Sequence, residues 1–165
     1  MPVETLRDII RHGVEAYGAE AAFRYKVKKE IVDRSYQDVN RDSMSVSRMV
    51  ESMGMGGKHI ALIGTTTYQW IVGYFGIVGS GSVAVPIDAQ LPADAVCGLL
   101  DRADVEMLIF DEIRRDVAEA VREKCPRVRQ IISMQAAEPG DGIQSLSMQM
   151  AIHTGEYETA IDPDQ

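Results

Sequence analysis

The sequence predicts an α/β fold: a doubly wound parallel sheet flanked by helices, preceded by an N-terminal helix and a hairpin. Three observations support this. The stretch from Ile60 to Ile87 contains no Asp, Glu, Lys or Arg, although 25% of the chain is charged. Turn residues divide that stretch into a short apolar run, a helix-length apolar segment and a second β-rich run, as in a βαβ unit. Strand-like and helical segments then continue to alternate toward the C-terminus.

The turn residues also argue against a membrane span. Gly64 and the threonines after it interrupt the uncharged stretch near its start, and Ser80-Gly81-Ser82 interrupts it near its end. A transmembrane helix needs about 20 predominantly apolar residues in one run. Residues 68–78 are apolar on every side, which is typical of a helix enclosed within a domain. We therefore expect Trp70 and Tyr74 to be buried between this helix and the sheet.

Bulk composition limits the class of protein and its compartment. A chain of 165 residues with 45% hydrophobic residues is long enough for one domain with a core. The net charge of -8 and the scattered basic residues argue against a nucleic-acid surface. The N-terminus lacks the basic start and apolar core of a signal peptide, and Cys97 and Cys125 form no CxxC motif. We expect a cytoplasmic protein with two helical thiols, a disulfide between them being the less favoured alternative.

Capping residues and side-chain periodicity define the N-terminal elements. Thr5 begins a helix with a single apolar face, which ends at Gly18. Alternating apolar and basic side chains over residues 22–27, followed by residues 31–35, predict a hairpin. Ser35 is in the position of an N-cap and predicts that a second helix begins directly after the hairpin.

Beyond the uncharged stretch, helices and strands continue to alternate. Pro92 suits the first position of a helix, and the spacing from Ile113 to Lys124 predicts a further helix that ends at Pro126. The predicted strands of the sheet cover residues 60–63, 83–87, 107–110 and 128–132, and a last short helix covers residues 146–153.

Ligands of an open parallel sheet bind in a crevice past the carboxyl ends of its strands. The loops at those ends are residues 64–68, 86–90, 111–112 and 133–135. Among these loops the first is the richest in groups that can face a ligand, and we predict that Gly64, Thr65, Thr66 and Tyr68 support a substrate pocket. An anion site on the same loop is an alternative to the simpler interpretation, in which one threonine caps the following helix.

Several patterns resemble known sites without meeting their requirements. Gly56-Gly57-Lys58 lacks the spacing and the Ser or Thr of a phosphate loop, and it lies between a helix and a strand. The spacing of Gly73, Gly76, Gly79 and Gly81 does not fit a dinucleotide fingerprint, and close helix–sheet packing explains these glycines. The three histidines lack a carboxylate at a ligand spacing, and turn chemistry explains Asp88. The residues therefore predict no catalytic group and no metal ligand.

Four short segments occur in an order found in a known family. They are residues 22–25 with 35–39, residues 59–64 with 68–70, residues 79–88, and residues 161–164. Together these segments resemble the N-terminal part of AMP-forming acyl-CoA synthetases, the family that also contains luciferases and peptide-synthetase adenylation domains. Within that family, the resemblance is strongest to the long-chain fatty acid–CoA ligases.

The resemblance implies that the parent enzyme activates a fatty acid with ATP and Mg²⁺. The acyl-adenylate would then react with CoA, and pyrophosphate and AMP would be released in turn. The resemblance also implies that the family's phosphate loop follows residue 165, so that the chain itself binds no cofactor. Peripheral contact with a membrane, through the lipid substrate, is a further implication.

The same resemblance implies how the chain is organised. Residues 1–155 would form an incomplete N-terminal α/β subdomain, and residues 156–165 an acidic linker to the nucleotide loop. The expected partner is the rest of the enzyme, or a second copy that binds an apolar patch over residues 143–152 and neighbouring methionines such as Met134. The alternatives are a stand-alone α/β interaction or regulatory module, and a nucleotide-binding domain of the flavodoxin-like kind.

Overall fold

The computed structural model describes residues 2–162 and has an α/β architecture. The elements follow one another as α1 (Leu6–Tyr17), β1 (Ala21–Val27), β2 (Glu30–Ser35), α2 (Tyr36–Ser52), β3 (His59–Ile63), α3 (Tyr68–Gly79), β4 (Val83–Ile87), α4 (Ala93–Arg102), β5 (Val105–Phe110), a 3₁₀ turn (Glu112–Arg114), α5 (Arg115–Lys124), β6 (Gln130–Ser133), β7 (Gln144–Ser145) and α6 (Leu146–Ile152).

The main sheet has the strand order β4-β3-β5-β6-β7, and every neighbouring pair is parallel. Strands β1 and β2 form a separate antiparallel hairpin. The predicted fold class is therefore confirmed. Strand β7 was not predicted, because two residues are too few to show an alternating pattern.

Helices cover both faces of the sheet, as expected for a doubly wound fold. On one face, side chains of α2, α3 and α6 pack with strand residues such as Ile60 and Leu62. On the other face, side chains of α4 and α5 pack with the alternate strand residues, among them Ala61 and Ile63. The central strands are buried on both sides, which explains why the sequence shows them as continuous apolar runs.

The N-terminal helices begin at the residues that the sequence predicts. Thr5 and Ser35 each accept a hydrogen bond from a backbone N–H three residues later, at Asp8 and Asp38, and each of those carboxylates bonds back to the backbone N–H of the cap. These capping boxes satisfy amide groups that have no partner within the helix.

Three predictions about the helices are wrong in detail. Pro92 has an extended backbone and is the residue before α4, so that the helix begins at Ala93. Ile113 is not part of the predicted helix but lies in the 3₁₀ turn that precedes α5, where it is 66% exposed. Trp70 and Tyr74 pack against the cluster that contains Ile60 and Leu62, but they are only half-buried, with their rings stacked on one another at 5.7 Å.

The glycines of α3 face another helix as well as the sheet. A Cβ added to Gly76 would lie 2.3 Å from the Cβ of Val46 in α2, and one added to Gly79 would lie 2.9 Å from the Oγ of Ser47. Of these three glycines, only Gly73 faces the sheet, since a Cβ added to it would lie 3.3 Å from the Cδ2 of Leu62. The predicted helix–sheet packing therefore explains Gly73, whereas Gly76 and Gly79 bring α3 close to α2.

Residues 156–162 run back across the helices on one side of the sheet. Arg48 donates to the carbonyl of Glu156, and Arg7 donates to that of Thr159. Tyr157, between them, is 9% exposed. This segment was predicted to be part of an acidic linker. Its described residues lie against α1 and α2, and residues 163–165 lie outside the described part of the chain.

The predicted apolar patch over residues 143–152 is not continuous. Ile143, Leu146 and Met134 are buried, whereas Met148 and Ile152 are 40% and 65% exposed. Ile143 packs in the cluster on one face of the sheet, Leu146 and Met134 pack in the cluster on the other, and the exposed residues lie on α6. A more continuous apolar surface lies elsewhere, in a groove of about 470 Å³ between α1 and β4.

Candidate functional site

The strand order indicates the carboxyl ends of β3 and β5 as the candidate site. The chain leaves β3 for β4 on one side and then returns through α4 to β5 on the other side of β3. Ligands of doubly wound sheets bind in a crevice past the strand ends at such a reversal, which two loops border here. The two loops are residues 64–67 after β3 and residues 111–114 after β5.

Gly64 and Asp111 bring these two loops into direct contact. Gly64 has a φ of 144°, and a Cβ added to it would lie 2.2 Å from the Cβ of Asp111. Asp111 is 5% exposed, and its carboxylate accepts hydrogen bonds from the backbone N–H groups of Thr65 at 3.3 Å and Ile113 at 3.1 Å. Glycine is therefore required at position 64 because no side chain fits between the loops.

The three threonines of the loop after β3 have different roles. Thr67 accepts a hydrogen bond from the N–H of Trp70 and so caps α3, as the simpler of the two predicted interpretations requires. Thr65 and Thr66 are exposed at the mouth of the crevice. The amide of Thr65 already donates to the Asp111 carboxylate, whose negative charge would repel a phosphate. This loop is consequently a poor cradle for the phosphates of ATP.

Tyr68 is turned away from the crevice and into the packing around α2 and the hairpin. It is 8% exposed, and its hydroxyl donates to the carboxylate of Asp42 at 2.7 Å. Its ring stacks on Tyr25 at 5.9 Å, and the guanidinium of Arg34 lies 5.1 Å from the ring centre. Burial, and then the bond to Asp42, raise the pKa of Tyr68 far above its ordinary value.

A polar network that the sequence analysis missed lies beside the crevice. The Glu112 carboxylate accepts two hydrogen bonds from Arg115, at 2.9 and 2.8 Å, and another from the hydroxyl of Ser133 at the end of β6. The backbone N–H of Glu112 donates to the side chain of Gln135. Burial alone would raise the pKa of Glu112, but the bonds from Ser133 and Arg115 bring it below its ordinary value. The sequence signal was weak, since only Glu112 and Arg115 are near neighbours in the chain.

Arg114, in the loop after β5, also binds the loop after β4. Its guanidinium donates to the carbonyls of Ala89 and Leu91 and pairs with Asp116. The Asp116 carboxylate raises the pKa of Arg114, so that the guanidinium stays charged. Asp88 accepts a hydrogen bond from the N–H of Gln90 at 2.8 Å, which is the turn chemistry predicted for it.

Metal and membrane features can be stated for residues 2–162 only. Across that range, no three His, Cys, Asp or Glu side chains are grouped as metal ligands. Over the same residues, none of the helices combines the length and the apolar character that crossing a bilayer requires. The carboxylates at the crevice, Asp111 and Glu112, bond to amides, a guanidinium and a hydroxyl.

Comparison with known proteins assigns the family. A model of the family described as AMP-binding enzyme matches residues 10–165. The chain belongs to the AMP-binding enzyme family. The resemblance of the four sequence segments to the adenylate-forming enzymes is thereby confirmed.

Solved structures of adenylate-forming enzymes share the fold of this AMP-binding family chain. The anthranilate CoA ligase AuaEII in complex with anthranoyl-AMP superimposes with a TM-score of 0.85 at 19% identity, over 97% of this chain and 30% of that one. The A-PCP didomain of a carboxylic acid reductase from Segniliparus rugosus, in complex with AMP, gives 0.80 at 15% identity, over 96% of this chain and 28% of that one.

Curated relatives of the AMP-binding family chain differ in what they make. A long-chain-fatty-acid–CoA ligase of Thermus thermophilus is 21% identical over 81% of this chain and 25% of its own length. A mycosubtilin synthase polypeptide of Bacillus subtilis is 26% identical over 68% of this chain and 4% of its own length. The chain thus spans a quarter or less of these two relatives.

Proposed function

We propose that this chain is the N-terminal part of an ATP-dependent acid–CoA ligase whose substrate is a fatty acid. In the proposed reaction the acid and ATP give an acyl-adenylate and pyrophosphate, and CoA then displaces AMP to give the thioester. The observation that carries the proposal is the family match over residues 10–165. The fatty acid is supported by the Thermus thermophilus ligase, which aligns with 81% of the chain.

In this proposal the described residues act as scaffold and pocket wall. Gly64, Thr65 and Thr66 would border the acid at the crevice, and Tyr68 would fix the start of α3 through its bond to Asp42. We assign no catalytic residue and no metal ligand to these residues. The Thr65 amide bonds to a carboxylate, so the phosphates of ATP, its Mg²⁺ and CoA would be held by residues outside this stretch.

The location follows from the proposed substrate. We propose a cytoplasmic enzyme that contacts membranes peripherally when it takes up a lipid substrate. The rest of the enzyme is its expected partner, and the free edge of β4 is one place where further chain can be added to the sheet.

The test is acid-dependent exchange of pyrophosphate into ATP, measured with the protein translated from the complete reading frame. The substrates are a long-chain fatty acid, an aromatic acid such as anthranilate, and an amino acid, each with and without CoA. We expect exchange with the fatty acid and a CoA thioester as the product. Residues 1–165 expressed alone should give no exchange.

Each result has a defined consequence. Exchange with the amino acid only would overturn the fatty acid substrate and favour a peptide-synthetase activity. Exchange without a CoA thioester would overturn the transfer step. A reading frame that ends at residue 165, with a folded and inactive product, would favour the alternative of a stand-alone interaction or regulatory module.

A further inference from the structure

A pair of cysteines lies near the amino ends of the strands, away from the crevice at their carboxyl ends. Cys97 is in α4, and Cys125 is the C-cap of α5. Both are free cysteines, and both line the same cavity. Because α4 and α5 pack side by side on one face of the sheet, two residues distant in sequence meet there.

The surroundings of the pair permit access by a small reagent. Both cysteines line a cavity of about 470 Å³ that also contacts Asp101, Lys124 and Arg127. Cys97 is 9% exposed and Cys125 is half-buried, so Cys125 is the point of entry. The side chains of Lys124 and Arg127 pair with Asp94 and Asp104, which leaves the thiols as the reactive groups of this cavity.

The reduced pair is stable near neutral pH. Burial, and then the neighbouring Cys97 thiol, raise the pKa of Cys125 to about 12, with Asp101 adding to the effect and Lys124 opposing it. Only the thiolate attacks a disulfide, so exchange at Cys125 is slow until the pH rises.

We propose that Cys97 and Cys125 are a reversible thiol–disulfide site that is oxidised by low-molecular-weight disulfides. The Cys125 thiolate attacks one sulfur of the reagent, forms a mixed disulfide and releases one thiolate. The Cys97 thiolate then attacks the Cys125 sulfur, forms the internal disulfide and releases the second thiolate. The protein loses two protons and two electrons, and the reagent is reduced to two thiols.

The internal bond would join two helices of the same layer. It would close a loop that contains β5 and the whole of α5, and so reduce the conformational freedom of the unfolded chain. We therefore expect the oxidised protein to melt at a higher temperature than the reduced one. The inference does not depend on the proposed ligase reaction, because the cavity lies near the amino ends of the strands, whereas Gly64 and Asp111 lie at their carboxyl ends.

The experiment treats the 165-residue chain with oxidised glutathione at mildly alkaline pH. We expect an intact mass lower by two hydrogens, both thiols lost to alkylation, one Cys97–Cys125 peptide in a digest, and a raised melting temperature that dithiothreitol reverses. The matched controls are Cys97→Ala and Cys125→Ala. Each keeps one thiol and should show at most one glutathione adduct and no rise in melting temperature.

Three results would overturn the proposal. The first is a wild-type protein that carries glutathione on both cysteines without an internal bond. The second is a disulfide-linked dimer in place of the internal bond. The third is an internal disulfide that lowers the melting temperature. Because the mass and the peptide map are read on the wild-type chain, the test stands even if one alanine variant does not fold.

Discussion

Individual residues at the crevice act mainly by holding backbone segments together. Asp111 bonds to amides on two loops, and Gly64 leaves room for it. The hydroxyl of Tyr68 donates to Asp42, and the guanidinium of Arg34 lies over the Tyr68 ring. Glycine at position 64 is therefore explained by a close approach between loops and not by a bound phosphate, while a role of the loop in substrate binding stays a prediction.

Gly64→Ala should destabilise the chain through steric overlap with Asp111. We expect the free energy of unfolding to fall by about 1–3 kcal/mol more than it does for Gly57→Ala. Gly57 is the matched control because it also has a positive φ, of 73°, but nothing lies within 4 Å of an added Cβ. Urea denaturation of both variants measures the difference. Equal losses would show that the backbone conformation alone, and not the contact with Asp111, requires glycine at position 64.

Tyr68→Phe should remove a hydrogen bond to a charged group. We expect a loss of about 1.5–3 kcal/mol in the free energy of unfolding near neutral pH. The control is Tyr17→Phe, since Tyr17 is 51% exposed and should change stability by less than about 0.5 kcal/mol. A Tyr68→Phe protein as stable as Tyr17→Phe would contradict the importance of the bond to Asp42.

The raised pKa of Tyr68 makes the difference in free energy of unfolding between the wild type and Tyr68→Phe depend on pH. Below about pH 10, tyrosine is neutral in both the folded and the unfolded chain, so its contribution to stability is complete. Above that pH the unfolded chain ionises while folded Tyr68 stays protonated, and the contribution is lost progressively. The advantage of the wild type over Tyr68→Phe should therefore narrow above about pH 10, by up to about 1.4 kcal/mol per pH unit. A constant difference would contradict the raised pKa.

At the level of elements, the contact between α2 and α3 depends on small residues. The Oγ of Ser47 donates to the carbonyl of Gly76 at 2.7 Å, and a Cβ at Gly76 would overlap Val46. The helices therefore approach closely along the glycines, while Trp70 and Tyr74 pack against the buried cluster of the sheet. Tyr74 also lines the groove beside the edge strand β4, which leaves its ring half-buried.

Gly76→Ala should separate α2 from α3. We expect it to lower the free energy of unfolding by about 1–3 kcal/mol because the added methyl group overpacks the contact. Gly98→Ala in α4 is the matched control, since nothing lies within 4 Å of its added Cβ and alanine should stabilise that helix by up to about 1 kcal/mol. Thermal or urea denaturation gives both values. If Gly76→Ala stabilises the chain as much as Gly98→Ala, the close packing is not needed.

At the level of the whole molecule, the largest change from expectation concerns the exposed apolar surface. Exposed Val3, Leu6 and Ile9 of the N-terminal segment meet Val83 at the free edge of β4 and line one groove. The surface predicted over residues 143–152 is instead partly buried, with Ile143 and Leu146 in the cores on opposite faces of the sheet. An apolar groove beside an unpaired strand edge favours association with further protein chain.

Association through this groove should be sensitive to charge at Ile9. We expect the 165-residue chain to self-associate at high concentration and to bind a hydrophobic dye, and we expect Ile9→Glu to reduce both. Ile31→Glu is the control, because Ile31 is 70% exposed on the hairpin and does not line the groove. Sedimentation velocity and dye fluorescence measure the two effects. A monomeric wild type, or equal effects of the two substitutions, would contradict the prediction.

The sequence predicted the sheet far better than it predicted the site. The capping residues Thr5 and Ser35 and the apolar runs of β3 and β5 lead directly to elements that the structure contains. The sequence also indicated the loop after β3 as part of the crevice. It did not indicate that Asp111 lies against Gly64, nor that Glu112, Arg115 and Ser133 form one network.

The physical reason is the range over which each feature is determined. Helix caps, turns and hydrophobic periodicity depend on residues a few positions apart, so the sequence by itself determined the α/β class, the order of its elements and the family resemblance. Contacts between loops, the orientation of Tyr68 toward Asp42 and the meeting of Cys97 with Cys125 depend on residues brought together from separate elements. Only the tertiary structure decided these, because strand order and helix packing fix which side chains share a space.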